Sequence, residues 1–433
     1  MNKEKANSTP KNNKKRFLFP ILIAFAIAIS FIGGYFSRYI IDGRSVSVIN
    51  DVVRIIEKHG YVFDDSTGEL RQLSESDYAD LLVNGLLDRY SEYYTPEEYQ
   101  EVIKNRSGNR SGVGISNVSG TNVIYKVMGN SPADRQGLKS GDKITAGKID
   151  QGEFRNINDS EDLNNFFDDC TSQSVITLKI DRDGEFSGRE ITLQQEDYVT
   201  SYVTYYDSEK KMCYRTQDGQ MVKHQTNDGM AELNDDVAYI KFDLFEGGAV
   251  WQLRQALEFM RERGRTKLIF DLRDNGGGYV DVMLGIASLL IDKEGESNLL
   301  ISVAESKTGT QEFFARANGF NQNVLAISVI ANRNSASASE SLIGAMLHYG
   351  YRFSIDRLVI EKNSLGQAKT YGKGIMQTTY SLITGGAFKL TTARILWPDK
   401  TTCIHEKGIY ATEQNATEKG VSAILRAQET LYE

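Results

Sequence analysis

The spacing of apolar and polar positions divides the chain into stretches of different period. Phe17–Phe36 runs for twenty residues without a charge and is rich in Ile, Ala and Phe. At about 1.5 Å per helical residue it matches the roughly 30 Å hydrocarbon core of a bilayer. Residues 43–105 follow a helical period. Val48, Ile49, Val52, Val53, Ile55 and Ile56 form one apolar stripe; Leu81, Leu82, Leu86 and Leu87 form a second. Thr95-Pro-Glu-Glu98 reads as a helix start, with Thr as N-cap, Pro in the first turn and Glu placed to close a capping box. Over 106–196 the period becomes that of strands (Val123–Val127, Val175–Ile180, Glu190–Leu193), with one helix at Asp162–Phe167. Residues 197–236 are polar and tyrosine-rich. Turn signals at Thr216-Gln-Asp-Gly219 and Thr226-Asn-Asp-Gly229 mark them as a β-hairpin insertion or a linker. From Val237 onward, strands (Val237–Phe242, Lys267–Arg273, Leu325–Ala331) alternate with helices (Val250–Arg261, Tyr279–Leu290). The whole predicts an α+β multidomain chain ending in an α/β core with a layered mixed sheet over 237–433.

Composition narrows the function classes. A chain of 433 residues with 40% hydrophobic content forms two or three domains with cores of their own. The net charge of −8, with acids and bases interspersed, carries no nucleic-acid footprint. Cys170, Cys213 and Cys403 are far apart and odd in number, so they form no disulfide framework and no CxxC pair. Cys403 and His405 can share a strand face, but zinc takes three or four protein ligands, so no metal site is expected. Residues 1–16 carry Lys3, Lys5, Lys11, Lys14, Lys15 and Arg16 against Glu4. The positive-inside rule therefore puts this tail in the cytoplasm and everything after about Arg38 outside. An uncleaved anchor over 17–37 is favoured over a cleaved signal peptide, because the run exceeds a usual signal core and no A-x-A site follows.

Three segments carry candidate chemistry. Asn332–Ser341 sits between an apolar strand and the helical pattern Leu342–Leu347, and a serine at such a turn lies beside free helix N–H groups. Spacing alone leaves Ser335, Ser337 and Ser339 equal. Asp274–Gly278 is a glycine turn between strand and helix that can present N–H groups to an oxyanion. It lacks both Gly-Lys-Ser/Thr and GxGxxG, so it is no nucleotide site. In Lys369–Gln377, Lys373 lies between two glycines, bordered by Tyr371, Ile375 and Met376. A lysine whose pKa is lowered by burial can replace the histidine base that the four scattered histidines do not offer. Gln377, four residues on, suits an amide that orients the amine. A small-molecule acyl hydrolase is disfavoured by the lack of a G-x-S-x-G elbow.

The loop Gly112-Val-Gly-Ile115 and the segment Ser131-Pro-Ala-Asp-Arg-Gln-Gly-Leu-Lys-Ser-Gly-Asp142 resemble a PDZ domain over 106–196. The resemblance implies that Gly112, Val113, Gly114 and Ile115 hold a peptide's terminal carboxylate while the peptide adds as a strand. Around it, Leu87–Tyr94, Asp271–Gly278, Ser335–Glu340, Thr370–Gln377 and Leu390–Arg394 follow in order. Together they are similar to the carboxyl-terminal processing proteases, S41 serine peptidases with an intervening PDZ domain, over roughly residues 75–412. That resemblance implies Ser337 as nucleophile, Lys373 as general base and Gln377 as its orienter. It implies an oxyanion hole from the N–H of Ala338 and one from Gly277 or Gly278, and no metal or organic cofactor. Expected partners are protein or peptide substrates engaged through their C-termini and a membrane met through 17–37. The apolar stripes also allow a homodimer, and the resemblance implies that the PDZ domain gates activity, keeping the site misassembled until a peptide or partner docks. The chain departs from the family in extra residues near Asp356–Leu365, in His348 where an acid is usual, in Gly408-Ile-Tyr-Ala-Thr412 for GIxPD, and in the long 200–236 insertion. His348 is expected to be structural. The alternative is a PDZ scaffold without proteolysis, against which the presence of Ser, Lys and Gln together argues.

Overall fold

The computed structural model describes residues 52–56, 73–217, 220–226, 231–317, 320 and 323–433. The basic tail, the anchor over 17–37, and Val48 and Ile49 lie outside the described residues. Among the described residues, no helix is long and apolar enough to cross a membrane. The chain divides into two compact units, one ending at Leu87 and one running from Asp88 to Glu433. In the first, helix Glu75–Leu86 starts on a capping box from Ser74, whose hydroxyl accepts the Asp77 N–H. Within this unit Val83 is buried, while Leu81, Leu82, Leu86 and Leu87 remain exposed.

In the second unit, helix Pro96–Arg106 begins where the spacing predicts. Thr95 Oγ1 accepts the Glu98 N–H, and the Glu98 carboxylate accepts the Thr95 N–H at 2.8 Å. The helical reading of 43–105 fails just before it. Glu92–Tyr94 is a strand, paired antiparallel with Ala387–Lys389. Its two tyrosines favour an extended, half-buried surface, and the partner that supplies that surface is distant in sequence. The strand joins a five-stranded sheet with Ala387–Leu396, Asn298–Ser306, Gly309–Arg316 and Ile375–Ser381.

Residues 109–199 form a small β domain. A four-stranded sheet orders Arg155–Asn156, Lys143–Ile149, Val175–Arg182 and Phe186–Gln194. Ile124, Ile144, Leu163, Phe166 and Leu178 fill its core. The loop at Gly112–Ile115 is fixed from below: the Val113 carbonyl accepts the Ala133 N–H at 3.0 Å, and the Gly114 carbonyl accepts the Met128 N–H at 2.8 Å. Gly114 has φ +80°, and a Cβ there would lie 2.1 Å from Ser131 Cβ, so only glycine lets the loop close on the Ser131–Arg135 turn.

The core is an eight-stranded sheet. Its order is Gln220–Thr226, Met212–Gln217, Val203–Asp207, Val237–Phe242, Lys267–Asp271, Ala326–Ala331, Leu358–Glu361 and Ala416–Thr417. The first four strands are antiparallel neighbours, and from Val237–Phe242 onward the pairs are parallel. The tyrosine-rich segment after residue 200 thus supplies three edge strands of the core sheet. Helix Ala249–Glu262 buries Ala249, Leu253, Ala256, Leu257 and Met260 at helical spacing against this sheet. Parallel strands offer ligand sites beyond their carboxyl ends, and both the glycine turn and the serine turn lie there.

Candidate active site

The glycine turn and the serine turn leave adjacent parallel strands, Lys267–Asp271 and Ala326–Ala331, and are fastened to each other. Asn275 is the main fastener. Its carbonyl accepts the Ala336 N–H at 3.0 Å and the Ser339 hydroxyl at 2.9 Å, and its Nδ2 donates to the Phe242 carbonyl at 2.9 Å. Ser335 Oγ donates to the Leu272 carbonyl at 2.8 Å and accepts the Asn332 N–H at 2.9 Å. Asp274 Oδ1 accepts the side-chain amides of Asn332 and Asn334 at 2.9 and 2.8 Å. A buried charge network holds the root of the turn. Burial alone would raise the Asp271 carboxyl, but the Lys241 and Arg273 charges beside it and the Tyr239 hydroxyl hold its pKa down to about 2.

These contacts separate the three serines. Ser335 and Ser339 are buried with their hydroxyls committed to backbone carbonyls. Ser337 is partly exposed and opens helix Ala338–Tyr349 with φ +58° and ψ −113°. A non-glycine residue in that region costs about 1–3 kcal/mol, and such strain recurs where a strand-to-helix turn presents a nucleophile. Gly277 lies against this turn. A Cβ on it would be 2.8 Å from Ser337 Cβ and 2.9 Å from the Ala338 nitrogen, and its φ of +102° also demands glycine. Its own N–H donates to Asn275 Oδ1 at 3.0 Å. The Gly277 N–H is thus already bonded, which favours Gly278 for the oxyanion role that the resemblance implies for one of the two glycines.

Lys373 reaches the site through its backbone. Its N–H and that of Ser337 both donate, at 2.9 Å, to the same oxygen, Glu340 Oε2. Glu340 Oε1 accepts the Thr370 hydroxyl at 2.5 Å and the Gly372 N–H at 2.7 Å. A fourth strap joins the Tyr371 N–H to the Ser335 carbonyl at 3.0 Å. Glu340 is fully buried, and burial pushes its carboxyl above the ordinary range against the pull of its four donors. The Lys373 amine is shifted down, chiefly by burial and then by the Lys389 charge, with Asp88 opposing. Its Nζ stands 4.7 Å from the centre of the Tyr90 ring. No hydrogen bond joins it to Ser337 Oγ or to Gln377, whose amide donates to Thr391 Oγ1 at 3.0 Å. Gly112–Ile115 belong to the small β domain and contribute no side chain to this site. His348 is exposed on the serine helix, edge-on to Tyr349.

Sequence reasoning missed Glu340 and Tyr90. Ser337-x-x-Glu340 has the capping-box spacing, which is the signal that would have drawn attention to the carboxylate. Tyr90 lies in the Leu87–Tyr94 stretch, and its place beside Lys373 has no local signature. Among the described residues, no group of three or more ligating side chains could hold a metal ion.

Residues 236–414 match peptidase family S41, and residues 111–193 match the PDZ domain. A probable CtpA-like serine protease of Staphylococcus saprophyticus is 25% identical over 424 residues, covering 94% of this chain and 75% of that protein. One from Staphylococcus aureus strain N315 is 26% identical over 374 residues, covering 85% of this chain and 64% of that protein. The chain thus spans three quarters of the first relative and less than two thirds of the second. Among solved structures, a photosystem II D1 C-terminal processing protease aligns at 20% identity and a TM-score of 0.47, covering 79% of this chain and 82% of that one. Over residues 236–414 the chain carries a peptidase family S41 region, similar to that of CtpA-like serine proteases, and a PDZ domain at 111–193 precedes it.

Proposed function

We propose that the chain is a membrane-anchored, extracytoplasmic serine endopeptidase with a Ser337–Lys373 centre, acting on protein substrates engaged through their C-termini. The observation that carries this reading is Glu340, whose carboxylate ties the backbone of a strained, accessible serine to that of a buried lysine. Ser337 attacks a peptide carbonyl. Lys373, as the neutral amine, takes the serine proton and returns it to the leaving amine. The N–H groups of Ala338 and Gly278 receive the oxyanion. Gln377 orients the amine once Lys373 swings from Tyr90 to the serine.

Polar links fasten the PDZ part to the core, among them an ion pair between Arg110 and Glu246 at 2.7 Å. Lys126 Nζ donates to the Asp243 carbonyl at 3.0 Å, and Asp134 accepts Arg215 and His224 of the core sheet's edge strands. A peptide docked at Gly112–Ile115 acts on the site through such links, which gives the PDZ domain a gating role beside its binding role. Digestion of an unfolded protein is expected to run about tenfold faster with a free carboxyl end than with an amidated one, the size of a buried charged contact. A free-carboxyl peptide added in trans should change the rate as well. Equal rates for free and amidated substrates, unmoved by the peptide, would remove C-terminal engagement from the reading.

The anchor over 17–37 supports the location. The full chain should stay with membranes through alkaline extraction, and a chain lacking residues 1–37 should be recovered in the soluble fraction. Release of the full chain by that treatment would count against the anchor.

A further inference from the structure

Beside the catalytic lysine lies a cavity of about 680 Å³ that the mechanism does not use. That is the size of a ligand pocket. One wall is Thr370, Tyr371 and Gly372, the residues immediately before Lys373. The Tyr371 N–H is bonded to Ser335 and the Gly372 N–H to Glu340, so this wall is continuous with the serine turn. A second wall comes from the extra segment near Asp356–Leu365 and the residues just after it. There Asn363 Oδ1 accepts the Leu365 and Gln367 N–H groups at 2.9 and 3.0 Å, a closed turn that holds the wall in place.

Arg89, Arg333 and Lys369 all line the cavity, and among the described residues none of the three forms an ion pair. Lys369 Nζ has a carbonyl partner, Lys407 at 3.4 Å, and Arg89 donates to the Tyr90 hydroxyl. Two carboxylates share the lining. Asp88 is already committed to the Tyr90 N–H and the Ser91 hydroxyl, and Glu406 faces Arg89. Three cations against two carboxylates leave a net positive charge in a concave site that adjoins the nucleophile turn.

We infer that this cavity is a substrate subsite that takes a carboxylate, carried either by an acidic side chain near the scissile bond or by the end of the substrate chain. The inference rests on the peptidase reading and adds a charge preference to it. Arg333 stands four residues before Ser337 and Lys369 four before Lys373. The cavity wall Thr370–Gly372 is bonded to the serine turn, so a peptide that crosses the site and continues over that wall meets the cavity's cations.

The test uses the full chain in mild detergent and internally quenched peptides of one sequence with both ends blocked. Glu, Gln or Lys is walked through the positions flanking the scissile bond, and a further Gln peptide ends in a free carboxylate. At one position kcat/KM for Glu over Gln is expected to be about tenfold, the scale of a charge-assisted contact. In Arg333→Gln/Lys369→Gln that ratio should fall toward one, and in Arg333→Glu/Lys369→Glu it should invert in favour of Lys. Both side chains sit at the surface of the cavity, and an unchanged thermal midpoint verifies that the variants fold. An advantage confined to the Glu peptides assigns the carboxylate to a side chain; one confined to the free-ended peptide assigns it to the chain end. A ratio near one at every position with no advantage for the free-ended peptide, or an advantage that survives both substitutions, overturns the subsite. If hydrolysis is present and lost in Ser337→Ala while neither the Glu peptides nor the free-ended peptide is favoured, only the subsite fails. If the parent and Ser337→Ala are equally active or equally inert, and anisotropy shows no tighter binding of the acidic peptide to Ser337→Ala, the peptidase reading and the subsite fail together.

Discussion

Alanine at Ser337 or at Lys373 is expected to lower the turnover of an unfolded protein by about 10⁴–10⁶-fold, and the double variant should be no slower than the worse single one. The lack of additivity follows from the roles. In the proposed mechanism Ser337 is a poor nucleophile unless a base removes its proton, and Lys373 has no other part in the reaction. Single-turnover rates on one folded substrate, with thermal midpoints for each variant, measure this. Multiplicative losses would mean that the two side chains act in separate steps.

The pH profile tests the same pair from another side. If Lys373 is the base, as proposed, its free-amine form is the reactive one, so kcat/KM should rise with pH through the pKa of that group. Burial and the neighbouring Lys389 charge bring that rise below the ordinary lysine range. Lys389 is paired with Glu92 at 2.6 Å. Lys389→Gln removes a repelling charge and frees an attracting carboxylate, so both effects raise the Lys373 pKa and move the rise to higher pH. Asp88→Asn removes an attraction and should move it to lower pH. A profile that neither substitution displaces would assign the base elsewhere.

The serine turn was legible because local pattern carried it. An unbroken apolar strand, a run of small residues and a helical apolar face follow one another within Leu325–Leu347, and each is a short-range signal. The order of the three serines was not legible from spacing. It depends on the carbonyls of Leu272 and Asn275, which hold the hydroxyls of Ser335 and Ser339 from a different strand. The same distinction separates Pro96–Arg106 from Glu92–Tyr94. The helix carries its own capping box, whereas the strand exists because Ala387–Lys389 lies alongside it. The edge strands from Val203 to Thr226 hid for a related reason. Their polar faces and turn residues resemble a linker until Phe242 and Ile240 are seen to pair with Val203 and Tyr205. Spacing also gives no sign that the Asn275 side chain holds the Gly277 N–H, the contact that distinguishes the two glycines of that turn.

Glu340→Gln is expected to cost about 10²-fold in kcat with little change in KM, the scale of an approximately 1 Å misplacement at a reacting centre. The carboxylate meets four donors and nothing else: Ser337 and Lys373 N–H on one oxygen, Thr370 hydroxyl and Gly372 N–H on the other. An amide keeps one acceptor and turns the other into a donor. One pair of bonds is then replaced by donor facing donor, in a place where Glu340 is fully buried. Each donor left without an acceptor costs about 1–3 kcal/mol, so the denaturant midpoint should fall as well. If the carboxylate only stabilises the fold, kcat measured well below that midpoint will equal the parent's. If it positions the pair, kcat falls even where the variant is fully folded, because the serine and lysine loops no longer share an oxygen. Substrate contacts are untouched in either case, which is why KM should hold while kcat drops. Glu340→Ala frees all four donors and should be the less stable of the two variants, with a loss of kcat at least as large in whatever fraction remains folded. A parent-like kcat in folded Glu340→Gln would reduce Glu340 to a helix cap and return the question of how Lys373 is brought to Ser337 to the side chains alone.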